Sequence, residues 1–144
     1  KMRGTYKLAS LVVLLIGLKI ANAGVTFEQM QKAGELVRSI CQPKFKISDE
    51  QANGFGKAQF PDDKNSKCYV NCILENIQSM KRGKFQFEAT KKQAEILLPD
   101  DMKEATIKAM VACKGATDGI KDPCEAAYSL LKCLHSNHED FFFP

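Results

Sequence analysis

The chain is poor in histidine. It has two, His135 and His138, both near its C-terminal end. A general base needs an imidazole within reach of the proton it takes, and a pair confined to one end of the chain leaves little scope for that. Gly-x-Ser-x-Gly, a phosphate-cradling Gly-Lys-Ser/Thr loop and His-Glu-x-x-His are all missing, which removes the common hydrolase, nucleotide-binding and metalloprotease signatures. A small secreted phospholipase would need a histidine inside a cysteine-rich helix and a glycine-rich calcium loop, and the chain has neither. The expectation is a protein that is not an enzyme and takes no cofactor.

Charge of one sign is also lacking once the N-terminal stretch is set apart. Lys1, Arg3 and Lys7 precede an apolar run from Leu8 to Leu18, and Ala21-Asn22-Ala23 closes the stretch with small residues. That pattern predicts a secretory signal peptide over residues 1–23, leaving one domain over residues 24–144. The segment carries four of the 21 Lys and Arg (Lys1, Arg3, Lys7 and Lys19) and no acid, so the rest of the chain is balanced against its 17 Asp and Glu. A nucleic-acid partner would call for a basic face. The densest basic cluster, Lys81-Arg82-Gly83-Lys84, reads instead as a solvated turn. No apolar run reaches the ~20 residues of a membrane helix, and no Asn-x-Ser/Thr sequon is present.

What the chain does have is cysteine and helical periodicity. Cys41, Cys68, Cys72, Cys113, Cys124 and Cys133 all follow the leader, and export places them in an oxidising compartment, where three disulfides are the default. Cys68-x3-Cys72 and His135-x2-His138 have ligand-like spacing, but exported thiols meet oxidant before zinc, so no metal site is expected. Cys68 and Cys72 share one helix face a turn apart and are poorly placed to bond to each other. Each should reach a different element, and spacing does not choose among the fifteen connectivities open to six cysteines.

No segment shows sustained two-residue alternation, so the expected class is all-α, a compact bundle of about six helices. Thr26 to Gln29 is a capping box that opens a first helix over about Phe27 to Ile40, ended by Pro43, with Val25 and Met30 as a hydrophobic staple. Ser48 to Gln51 repeats the box for a short second helix, limited by Gly54 and Gly56. Asn65 or Ser66 caps a third, which carries Cys68, Cys72, Ile73, Ile77 and Met80 and stops at Gly83. A fourth is predicted from Glu88 to Leu98, ended by Pro99. A fifth is predicted from Asp101 to about Thr117 with Asp100 as cap, and a sixth after the Asp122 cap with Pro123 at its first position.

The spacing Cys41-x26-Cys68-x3-Cys72-x40-Cys113-x10-Cys124-x8-Cys133, behind a signal peptide, resembles the insect odorant-binding proteins of the pheromone- and general-odorant-binding group. The x3 and x8 gaps are its specific part. Pro43-Lys44-Phe45 and the Phe-rich tail closed by Pro144 add a likeness to fly and mosquito members. The resemblance implies three interlocked bridges, Cys41 to Cys72, Cys68 to Cys124 and Cys113 to Cys133, around an apolar cavity. It also implies the activity of a secreted carrier, in fluid such as sensillum lymph, for an odorant, a pheromone or another small apolar or amphipathic ligand.

Positions matching pocket walls in similar proteins are Val37, Leu74, Ile77, Ser79, Phe85, Leu97, Met110, Ala127, Leu134 and Phe143. For Ser79 two readings stand side by side: a hydroxyl that orients a ligand, or a helix-end serine bonded to its own backbone. Three exposed phenylalanines would form a costly patch, so Phe141, Phe142 and Phe143 are expected to fold back as a lid. Acid protonation of His135 and His138, beside Glu139 and Asp140, would loosen it. The alternatives are an interaction protein docking on an olfactory receptor, or the same fold carrying non-olfactory lipids or hormones. A monomer or weak homodimer is expected, with no nucleic acid partner.

Overall fold

The computed structural model describes residues 24–138 and 140–144; the predicted signal peptide lies outside the described residues. Among the described residues six helices follow in chain order: α1 Phe27–Phe45, α2 Asp49–Phe55, α3 Lys64–Asn76, α4 Phe87–Leu97, α5 Asp100–Ala112 and α6 Pro123–Asn137. Between α3 and α4 lies an antiparallel pair, β1 Met80–Lys81 and β2 Lys84–Phe85.

The first two helices open as their sequences predict. The Thr26 hydroxyl accepts from the Gln29 amide while the Gln29 side chain accepts from the Thr26 amide, and Ser48 and Gln51 do the same for α2. Helix α1, however, does not stop at Ile40. It runs through Pro43 to Phe45, where Lys46 adopts a left-handed conformation and its amide reaches back to the Gln42 and Pro43 carbonyls. A proline in the last turn removes a single amide donor, a small loss when a cap closes the turn just beyond it.

Helix α3 is capped by Asp63 rather than Asn65 or Ser66. Asp63 stands outside the helix in extended conformation and accepts from the Ser66 amide at 2.9 Å, while the Ser66 hydroxyl donates to its other oxygen at 2.7 Å. The helix ends at Asn76, well short of Gly83. Met80 therefore leaves the helix and pairs with Phe85 in the hairpin. Arg82 and Gly83 both take positive φ, 51° and 75°, as a tight hairpin turn of the primed type requires. The centre of the basic cluster, Arg82-Gly83, is thus a turn, as expected, while Lys81 and Lys84 are the paired strand residues on either side of it. The strands themselves, two residues each, are too short for alternation to reveal.

Helix α5 starts at Asp100 with Pro99 in the cap position and ends at Ala112, not near Thr117. Beyond it the chain continues in tight turns, such as the Ala116 amide to the Cys113 carbonyl and the Asp118 amide to the Gly115 carbonyl, so helix-like periodicity persists without a helix. Helix α6 opens as predicted: the Asp122 carboxylate accepts from the amides of Cys124 and Glu125, with Pro123 inside the first turn.

Three disulfides close, Cys41 to Cys72, Cys68 to Cys124 and Cys113 to Cys133, the interlocked set implied by the resemblance. Helix α3 is the central post, tied to α1 on one side and to α6 on the other. The core is densest where α3 meets α6, with Tyr69, Val70, Ile73, Leu130 and Leu131 all fully buried. Lys67 adds a polar clasp at that seam, bridging Asp62 at 2.6 Å and Glu125 at 2.8 Å. Among the described residues no helix is long and apolar enough to cross a membrane.

Candidate ligand cavity

Away from that seam the bundle is hollow. A cavity of about 420 Å³ lies between α1, the end of α3, the hairpin, α4, α5, α6 and the C-terminal tail. Its α1 wall follows helical spacing, with Met30, Ala33, Gly34 and Val37 on one stripe. Leu74 and Ile77 face it at the end of α3, followed by Ser79 and Phe85. The far wall is Thr90, Ala94 and Leu97 from α4 and Met102, Thr106 and Met110 from α5; Leu130 and Leu134 close it from α6. Val25 seals one end, held by its amide to the Leu97 carbonyl at 3.1 Å.

The tail completes the wall. Phe142 packs edge-on against Phe27, with centroids 5.7 Å apart, and buried Phe143 sits against Phe55 and Tyr69 at 5.9 and 6.5 Å. The Tyr69 hydroxyl, its pKa raised by burial, donates to the Pro144 carbonyl at 3.4 Å. Gly34 is what lets the tail approach. A Cβ there would stand 2.6 Å from the Pro144 ring and 3.2 Å from Phe142. On its other side the tail borders a second cavity of about 240 Å³, lined by Gln31, Glu35, Arg38 and Asn53. Phe142, Phe143 and Pro144 line both spaces. The tail is thus a partition between an apolar interior and a polar cleft.

Among the described residues no side chain lining the large cavity is ionisable, and its polar members are Gln29, Ser79, Thr90, Gln93 and Thr106. The Ser79 side chain makes no hydrogen bond to any described residue; its backbone is satisfied instead, amide to the Leu74 carbonyl and carbonyl from the Gln86 amide. The backbone-bonded reading of its hydroxyl therefore does not hold. Among the described residues no cluster of His, Cys, Asp and Glu is arranged to hold a metal.

Of the positions proposed from sequence, Val37, Leu74, Ile77, Ser79, Phe85, Leu97, Met110, Leu134 and Phe143 all border this cavity, with Ile77 and Leu97 partly exposed at its rim. Ala127 does not. It is fully buried in the core: it shares the face of α6 that carries Leu130 and Leu134 but lies one to two turns nearer the start of the helix, where that face meets packed side chains and not the void. Residues the sequence reading missed include Met30, Gly34, Ala94, Met102 and Thr106. Helical spacing from Val37 and Met110 would have found most of them, since Met30 is seven residues before Val37, and Met102 and Thr106 are two turns and one turn before Met110.

The sequence matches the PBP/GOBP family over residues 24–137. The chain belongs to that family. It is 45% identical over 120 residues to general odorant-binding protein 72 of Anopheles gambiae, covering 83% of this chain and 99% of that protein. It is 46% identical over 127 residues to general odorant-binding protein 19a of Drosophila melanogaster, covering 86% and 87%. Among solved structures, odorant binding protein 4 of Chrysopa pallens superposes with a TM-score of 0.76 at 43% identity, covering 83% and 99% of the two chains. Odorant binding protein 5 of Apis mellifera does so with 0.77 at 28% identity, covering 85% and 100%. The PBP/GOBP fold thus accounts for the six helices and three bridges, and the family is one of odorant-binding proteins rather than enzymes.

Proposed function

We propose that this PBP/GOBP protein is a secreted carrier that encloses one small, neutral, apolar or amphipathic molecule, an odorant, pheromone or similar semiochemical. The observation that carries the reading is the cavity: about 420 Å³, walled among the described residues by uncharged side chains, with the protein's own tail as one wall. That volume lies within the usual range of small-molecule sites, and a wall without ionisable groups disfavours a charged cargo such as an amine. The relatives, general odorant-binding proteins by name, support the same class of ligand. Ser79 is the orienting group for a ligand alcohol or carbonyl. The remaining wall positions, from Val37 to Phe143, supply apolar contact.

A fluorescent apolar probe such as N-phenylnaphthylamine should bind and be displaced by members of a panel of alcohols, aldehydes, fatty acids and terpenoids. Native mass spectrometry should show a co-purified small molecule or an empty protein that takes one up. A protein that neither binds the probe nor carries a small molecule overturns the proposal.

Release is the second part of the proposal. His138 sits at the root of the tail, its ring 6.2 Å from Phe141 and its Nε2 buried with no hydrogen-bond partner among the described residues. An imidazolium there would hold its Nε2–H in an enclosed position with no acceptor among the described residues, which favours an opened tail. His135 is differently placed: its Nε2 donates to the Gly56 carbonyl at 3.3 Å, a bond that survives protonation. The expected trigger is therefore His138, with exposed Asp140 nearby; Glu139 lies outside the described residues. Probe affinity should fall from pH 7 to pH 5 in the native protein and change less in His138→Gln. Equal affinity at the two pH values in the native protein rejects acid release.

A further inference from the structure

Two threonines face the cavity from helices, and both are buried, Thr90 on α4 and Thr106 on α5, at 7% and 6% exposure. A threonine in a helix commonly satisfies its hydroxyl on the carbonyl one turn before it. Thr90 does so, donating to the Gln86 carbonyl at 2.8 Å. Thr106 does not: its hydroxyl makes no hydrogen bond to any described residue, although the Met102 carbonyl stands one turn back in the same helix. Its oxygen is not among the fully enclosed atoms left without a partner, so the hydroxyl opens on the cavity space, and at a site where only shape mattered valine would fill the same volume without a polar group to satisfy.

We infer that Thr106 is a polar anchor of the cavity, donating to or accepting from the oxygen of a bound alcohol, aldehyde, ketone or ester, on a different wall from Ser79. The inference rests on the proposed carrier role and narrows it: the cargo is an oxygenated apolar molecule rather than a hydrocarbon. Thr90 has already given its proton to its own helix, so it has no donor left for a ligand carbonyl and supplies chiefly its methyl. The two threonines thus differ in role although composition and burial make them alike.

The test compares dodecanol and dodecane as competitors of N-phenylnaphthylamine on the native protein, Thr106→Val, Thr106→Ser and Thr90→Val. In Thr106→Val the affinity for dodecanol should fall about five- to tenfold, the range of one lost hydrogen bond, while dodecane and the probe bind as before. Thr106→Ser should restore dodecanol binding, and Thr90→Val should shift alcohol and hydrocarbon alike. If Thr106→Val changes both competitors equally, or leaves both unchanged while the probe still binds, the anchor is rejected and the carrier reading stands. If the native protein fails to bind the probe and both competitors, the carrier reading itself fails, and the anchor with it.

Discussion

The half of the molecule built on α3 and α6 and the half built on α4 and α5 are made from helices of similar length and are packed very differently. Helices α3 and α6 bury six residues each, against two in α4 and three in α5. Two of the three disulfides end on α3 and two on α6, while α4 has no cysteine and α5 is tied only through Cys113 just past its end. A wall that faces an empty space forgoes the contacts a filled core supplies. The cross-links therefore stand beside the cavity rather than across it, holding the shell from the filled side while the open side stays free to take a ligand.

Breaking the cross-links tests that division most severely. Replacing Cys68 and Cys124 by serine opens the longest loop, 56 residues, and should cost about 4 kcal/mol in chemical denaturation. Replacing Cys113 and Cys133, which close 20 residues, should cost about 3 kcal/mol, yet weaken probe binding more, because that bridge is the tie between α5 and the rest. Equal losses of affinity in the two variants would show that the open half does not depend on its own anchor.

Single truncations sharpen the contrast. Ile73→Ala, at a fully buried seam position, should destabilise by about 3 kcal/mol, whereas Met110→Ala, already bordering the cavity, should cost about 1 kcal/mol, since a flexible side chain beside a void loses fewer contacts. Thermal or urea unfolding measures both.

Gly34→Ala acts on the tail. Its new Cβ has no room against Pro144 and Phe142, while alanine favours the helix by about 1 kcal/mol. The expected outcome is a melting temperature near that of the native protein with about tenfold weaker probe binding, a change of about 1.4 kcal/mol. Unchanged affinity would mean that the tail contributes nothing to closure.

The smallest expected effect is Asp63→Ala at the start of α3, a loss of about 1 kcal/mol in stability, as for other N-caps, with ligand affinity unaltered. The Ser66 hydroxyl, and after it the Ser66 amide, hold the Asp63 carboxyl below its ordinary value. Its contribution is therefore complete above the unfolded carboxylate value of about 4 and is lost as pH falls through the lower folded value. The native protein and the variant should converge in stability in strong acid.

The parts legible in advance were those governed by neighbours in sequence. Both capping boxes, the Asp122-Pro123 start of α6 and the basic turn at Arg82-Gly83 depend on residues within one turn of each other. The cysteine spacing identified the bridge pattern through the family resemblance. Misreadings gathered where a local signal was overruled. Pro43 did not end α1 because Lys46 caps beyond it. Met80, at a helical interval from Ile73 and Ile77, left the helix for a hairpin whose strands are too short to show a period. Ala127 kept helical register with Leu131 and Leu134 but meets the packed core and not the void at its level of α6.

By itself, then, the sequence determined an all-α, disulfide-closed domain with an apolar interior, because helix caps, apolar stripes and cysteine intervals act over short distances that the order of residues records. Only the tertiary structure decided which apolar faces meet each other and which face a void. It also decided that the tail and Gly34 fit together, and that Thr90 is satisfied while Thr106 is not. Those outcomes depend on how separate helices are set against one another, and a residue's neighbours in the chain do not specify them.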